Sequence, residues 1–133
     1  MEFQGEELNA IYALGRLYYE LGYLSASERI LAGLTEIDDG FTPARVALGV
    51  IKLESGKAEE AIQVFRSSAK SPRRADDIFS GKLGLVAAFL FLGDIERATS
   101  LLREVQADVA KGTNHNPGLR RLFEAFAVRC GVD

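Results

Sequence analysis

The sequence predicts an all-α fold, a right-handed solenoid of three helix pairs ended by a C-terminal capping helix. Three observations carry that expectation. Apolar residues recur at helical spacing, a pattern of glycine and small residues repeats at a near-constant offset, and each of the three prolines follows a residue suited to capping a helix.

The first unit shows the plan. Ile11, Leu14, Gly15 and Tyr18 make an i, i+3, i+4, i+7 stripe, the spacing of one apolar helix face. Gly22 is expected to end that helix, because glycine takes the left-handed conformation without steric cost. Ser25 and Glu28 have capping-box spacing and are expected to open a second helix bearing Ile30, Leu31 and Leu34. The second unit repeats this as Thr42–Ser55, Gly56-Lys57 and Ala58–Lys70. The third runs Asp76–Leu92, Gly93 and Asp94–Ala110, with Asp94 as an N-cap. Thr42-Pro43, Ser71-Pro72 and Asn116-Pro117 mark helix starts or turns, since proline's missing N–H costs nothing at a first helical position. The last helix, Pro117–Cys130, sets Leu119, Leu122, Phe123, Phe126, Ala127 and Cys130 on one stripe. Arg120, Arg121, Glu124 and Arg129 fall elsewhere, as expected of a cap with one buried face.

An offset of 34 carries Leu14-Gly15 onto Leu48-Gly49, Glu20 onto Glu54, Gly22 onto Gly56, Ser27 onto Ala61, Ile30 onto Val64 and Leu31 onto Phe65. An offset of 37 then carries Leu48 onto Leu85, Gly56 onto Gly93, Ala61 onto Ala98, Val64 onto Leu101 and Phe65 onto Leu102. The three extra residues fit within the polar stretch Ser71–Ser80. Antiparallel helix pairs at this period, with small residues at their crossings, resemble the tetratricopeptide repeat. The stretch Leu48-Gly49 through Gly56-Lys-Ala-Glu-Glu-Ala61-Ile-Gln-Val-Phe65 matches it best. The first unit has Ser27 for the usual alanine, and the third has Val86 in place of Gly15 and Gly49, which would set its helices farther apart. The resemblance covers about Glu6–Ala110. It implies a single tetratricopeptide-like domain over 1–133, with repeats at about 8–39, 42–73 and 76–110 and the cap helix at 117–130.

The first helix of each unit carries a second apolar stripe, roughly a third of a turn from the first. It comprises Tyr12, Arg16 and Tyr19, then Val46, Val50 and Leu53, then Leu83, Ala87 and Leu90, with Phe91 beside them. In tetratricopeptide arrays this stripe lines the concave surface, and the resemblance implies a mostly aliphatic groove here. The competing explanation is plain core: Gly84–Leu92 reads equally as a helix buried between neighbours, with the last helix folded over it. Co-chaperones of the same repeat class grip acidic tails with basic and polar residues. Tyr12, Ala47, Ser80 and Gly84 stand where those would be needed, and Asn9 and Arg16 do not replace them. Length, repeat count, groove polarity and the final helix are similar to the small three-repeat chaperones of bacterial type III secretion. That likeness implies a client segment held in the groove without nucleotide, the client being a secretion substrate or apparatus subunit. The alternative is a structural scaffold using the same surfaces for complex formation or for a homodimer.

Composition bounds the rest. Of 133 residues, 47% are hydrophobic and 26% charged, with net charge −3, which is globular rather than disordered. That balance argues against nucleic-acid binding, which needs phosphate-neutralising Lys and Arg. The longest apolar run, Gly84–Leu92, is too short for a membrane span, and Glu6 and Glu7 interrupt any leader-like start. The single cysteine, Cys130, precludes an internal disulfide and suits a reducing compartment, so a cytoplasmic location is expected. No enzyme is expected. His115 is the only histidine, Asp38-Asp39 and Asp76-Asp77 lack further ligands, and no Gly-Lys-Ser/Thr phosphate loop occurs. No cofactor and no metal are expected. Arg73-Arg74 and Arg120-Arg121 lie near Asp76-Asp77 and Glu124 and read as solvated or ion-paired faces.

Overall fold

The computed structural model describes residues 5–38, 40–68, 75–110 and 117–132. Among them are seven α-helices and no strand: α1 (Gly5–Glu20), α2 (Leu24–Ile37), α3 (Thr42–Glu54), α4 (Ala58–Ser68), α5 (Ala75–Phe91), α6 (Ile95–Ala110) and α7 (Pro117–Cys130). Consecutive helices pack as pairs. The odd helices also lie side by side, α1 on α3, α3 on α5 and α5 on α7.

Every odd helix ends in the same turn. Gly22, Gly56, Gly93 and Gly131 have φ of 87°, 78°, 77° and 68°, a region that a β-carbon disfavours. The next residue in each case, Tyr23, Lys57, Asp94 or Val132, donates its N–H to the carbonyl five residues back. The acceptors are Tyr18, Lys52, Phe89 and Ala127, at 2.8–2.9 Å. Three of these turns follow from the repeat. The fourth gives α7 the ending of an odd helix, and α7 packs on α5 and α6 as α5 packs on α3 and α4.

Close approach fixes the pair crossings. A β-carbon added to Gly15 would lie 2.8 Å from Leu31, and one added to Gly49 would overlap the Phe65 ring. Ser27, fully buried, donates its hydroxyl to the Gly15 carbonyl at 2.7 Å, so serine at the usual alanine position is satisfied. In the third pair Val86 replaces the glycine, and the position equivalent to Phe65 holds the smaller Leu102; both are fully buried. Gly84, read from sequence as a groove position, instead also closes on the Phe65 ring. α5 is apolar nearly all round because α3, α4, α6 and α7 all pack on it.

Several local expectations need correction. Leu14 is 46% exposed although its repeat equivalent Leu48 is 8% exposed, because no described helix precedes α1 to cover it. Leu122 is likewise exposed rather than packed under the cap. Ser25 and Glu28 form no capping box: α2 begins at Leu24 with Tyr23 as N-cap and no side-chain cap bond. Thr42 does not cap α3 either; it is the first residue of that helix and is buried, with Phe41 at the N-cap. Asp94 does cap α6, accepting the Arg97 N–H at 3.1 Å.

Glu28 instead meets Lys52 of α3 at 2.7 Å, and Lys52 also lies 3.6 Å from Glu60 of α4. The hydrogen bond from Lys52 holds the Glu28 carboxyl below its ordinary range, helped by the charges of Lys52 and Lys57. The same bond, made to Glu28, raises the Lys52 ammonium above its own. Glu28 therefore contributes stability that is present above the unfolded glutamate value, about 4.3, and lost as the pH falls through the lower folded value. The Lys52 contribution is present below the unfolded lysine value, about 10.4, and is lost only as the pH rises through the higher folded one. Glu28→Gln is expected to cost about 1 kcal/mol at pH 7 and almost nothing at pH 3, as measured by urea unfolding at both.

Candidate functional site

The left-handed glycines put the odd helices in register. Ten, six and three residues before Gly22, Gly56 and Gly93 stand Tyr12, Arg16 and Tyr19, then Val46, Val50 and Leu53, then Leu83, Ala87 and Leu90. Gly15 and Gly49, which meet α2 and α4, stand within about a third of a turn of these rows, and Leu48, which packs with α2 residues, lies on the far side of α3. The nine candidates therefore share one register on the odd helices, beside the face that meets the even ones.

Their exposure is graded. Val50, at the centre, is 36% exposed, and Arg16 is exposed. Tyr12, Tyr19, Val46, Leu53, Ala87 and Leu90 are half-buried, and all but Ala87 pack against the core clusters. Leu83 is the exception. It is 1% exposed and sits in the cluster that holds Ala127 with Phe123 and Phe126 of α7, so it is core and no part of an open surface. The burial expected of α5 is real beyond that position, since Leu85, Val86, Ala88 and Phe89 are buried in the same cluster, while Ala87 and Leu90 stay half-buried. Phe91, beside the stripe, is 60% exposed.

Polar contacts tune the first row. Tyr19 donates its hydroxyl to the Glu54 carboxylate across α1 and α3. That bond, with burial and the Glu54 charge, raises the Tyr19 pKa, while Arg16 opposes the rise. Glu54 was not singled out in the sequence, although its repeat relation to Glu20 was visible. The Arg16 guanidinium lies 6.0 Å from the Tyr12 ring centre and 3.8 Å from Glu20. Tyr12 in turn meets Phe41 edge-on at 5.8 Å. One repeat on, the Tyr19 and Glu54 positions are taken by Leu53 and Phe91, so the surface is apolar between the second and third rows.

Among the described residues no group of three or more His, Cys, Asp or Glu side chains could hold a metal ion. Cys130 is a free thiol, partly buried against the core. Asp39, Arg73, Arg74 and His115 lie outside the described residues, as do the side chains of Asp76 and Asp77. No helix of the described residues is long and apolar enough to cross a membrane.

No family model matches the chain, and no curated protein matches it by sequence. Three solved structures match it in three dimensions. PcrH in complex with the chaperone-binding region of PopD superposes with a TM-score of 0.72 at 25% identity, over 97% of this chain and 89% of that one. The chain is similar to PcrH. PcrH from Pseudomonas aeruginosa gives 0.71 at the same identity and coverage. PcrH with the chaperone-binding region of PopB gives 0.72, over 98% of both chains. The resemblance to tetratricopeptide-type secretion chaperones thus extends from the repeat residues to the whole helical architecture. Because the PcrH match covers nearly the full length, it includes α7 as well as the three pairs.

Proposed function

We propose that the protein is a non-catalytic, cytoplasmic chaperone that holds an apolar segment of a client protein on the odd-helix face. The client is a type III secretion substrate or apparatus subunit. The observation that carries this reading is the aliphatic centre of that face, where Val50 is exposed among half-buried Val46, Leu53, Ala87 and Leu90. The likeness to PcrH, solved with the chaperone-binding regions of PopD and PopB, supports it. Covering these side chains supplies roughly 25 cal/mol per Å² of apolar area before association costs, enough for a short segment without nucleotide. The test is a paired capture from the native host with wild-type protein and Val50→Asp. A secretion protein retained by the first and lost by the second is the client; equal retention by both overturns the groove.

Self-association has an observation of its own. Ala10, Leu14 and Leu17 of α1 are exposed, whereas their repeat equivalents Ala44, Leu48 and Ile51 are buried under α2. With Leu21 they form a 4-3-4 spaced seam that is self-complementary when antiparallel, Leu21 facing Ala10 and Leu14 facing Leu17. We propose that a homodimer forms through this seam, on the side of α1 away from the groove. Leu14→Glu with Leu17→Glu is expected to give a monomer by light scattering at concentrations where wild type is dimeric, with client capture retained.

A further inference from the structure

A fourth helix shares the register of the three groove rows. Ten, six and three residues before Gly131 stand Arg121, Ala125 and Val128, the register that Tyr12, Arg16 and Tyr19 hold before Gly22. Phe123 and Phe126, at the positions of Leu48 and Ile51, pack into the core, so α7 is oriented as the other odd helices are. Val128 is 82% exposed, and Ala125, Leu122, Arg121 and Arg129 are exposed with it. Val128 is thus equivalent to Leu90, and Arg129 to the exposed Phe91.

Charge changes sign along this surface. The first two rows carry Glu20 and Glu54 beside Arg16, the third is uncharged, and the fourth carries Arg121 and Arg129. Arg16 is already engaged by Glu20 and Tyr12. Neither Arg121 nor Arg129 has a carboxylate partner among the described residues, and apolar Leu122, Ala125 and Val128 lie between them. We infer that α7 belongs to the client site, and that Arg121 and Arg129 receive an acidic flank of the segment whose apolar side chains cover Val50, Ala87, Leu90 and Phe91. Packed helices lie about 8–10 Å apart, so four odd helices span about 27 Å. An extended chain at about 3.3 Å per residue crosses that distance in roughly eight residues. The recognised segment is then about eight residues long, apolar through its middle and acidic at the end over α7.

This inference rests on the groove reading, and one experiment separates the two. Phage-displayed random 12-residue peptides are selected on wild type, Val50→Asp and Arg121→Glu with Arg129→Glu, with circular dichroism confirming equal helix content. Wild type is expected to enrich apolar segments with Asp or Glu at one end. The charge-reversed variant is expected to enrich a Lys or Arg flank instead and to bind the wild-type peptides about tenfold more weakly at low salt. Val50→Asp is expected to lose both sets. If the charge-reversed protein selects the same peptides as wild type while Val50→Asp loses them, the groove stands and the role of α7 falls. If wild type enriches nothing, or Val50→Asp matches it, both fall. A reversal that leaves selection unmoved but alters the oligomeric state assigns α7 to a second copy and overturns the proposal.

Discussion

Phe65→Ala is expected to lower the unfolding free energy by about 3–5 kcal/mol, read as a shift in urea midpoint. Phe65 is fully buried in α4, and its ring lies against Gly49 of α3 and Gly84 of α5 at once. Removing the ring opens a cavity walled on two sides by residues with no side chain to move into it, so the site collapses poorly. The converse changes are also costly. Gly49→Ala or Gly84→Ala drives a β-carbon into the ring and is expected to cost about 1–3 kcal/mol each. Combining Gly84→Ala with Phe65→Leu is expected to cost less than the two separate effects together, because the smaller side chain yields the space the methyl needs. A Phe65→Ala protein that unfolds at the wild-type midpoint would show that the ring is not a shared wedge.

Val50→Asp is expected to weaken client binding by about thirtyfold or more while leaving the urea midpoint close to wild type. Val50 lies mid-face between the two halves of the apolar surface and is exposed enough for a carboxylate to remain hydrated in the free protein. On binding, that carboxylate must lose water against an apolar client and finds no cation within its own row, where the neighbours are Val46 and Leu53. Val50→Ala, which removes area without adding charge, is expected to lose about tenfold or less. The comparison by calorimetry with the isolated client segment distinguishes a desolvated contact from general loosening. Affinities within twofold for wild type and Val50→Asp would remove this face as the client site.

Much of this architecture was legible because backbone constraints leave residue-level marks. Gly22, Gly56 and Gly93 are required by a left-handed turn, and Gly15 and Gly49 by close helix approach, so their spacing exposed the repeat. Gly131 makes the same turn, but it follows Gly93 by 38 residues and a helix with few matching side chains, so α7 read as a cap. Periodicity identifies an apolar face without saying whether a neighbour covers it. That is why Leu14 and Leu122 emerge exposed and Leu83 emerges buried. The capping-box spacing of Ser25 and Glu28 misled for a related reason: Glu28 reaches Lys52, a partner no local pattern announces. Gly84 looked like open surface because its use, making room for Phe65, depends on a helix from the preceding repeat.

Phe65 also acts as a gauge block. It belongs to α4, behind the array, yet its ring occupies the space where α3 and α5 come closest to it, at Gly49 and Gly84, and so helps set the spacing of the helices that carry Val50 and Ala87. The stride at which a guest's side chains must fall is therefore dictated by a ring the guest never meets.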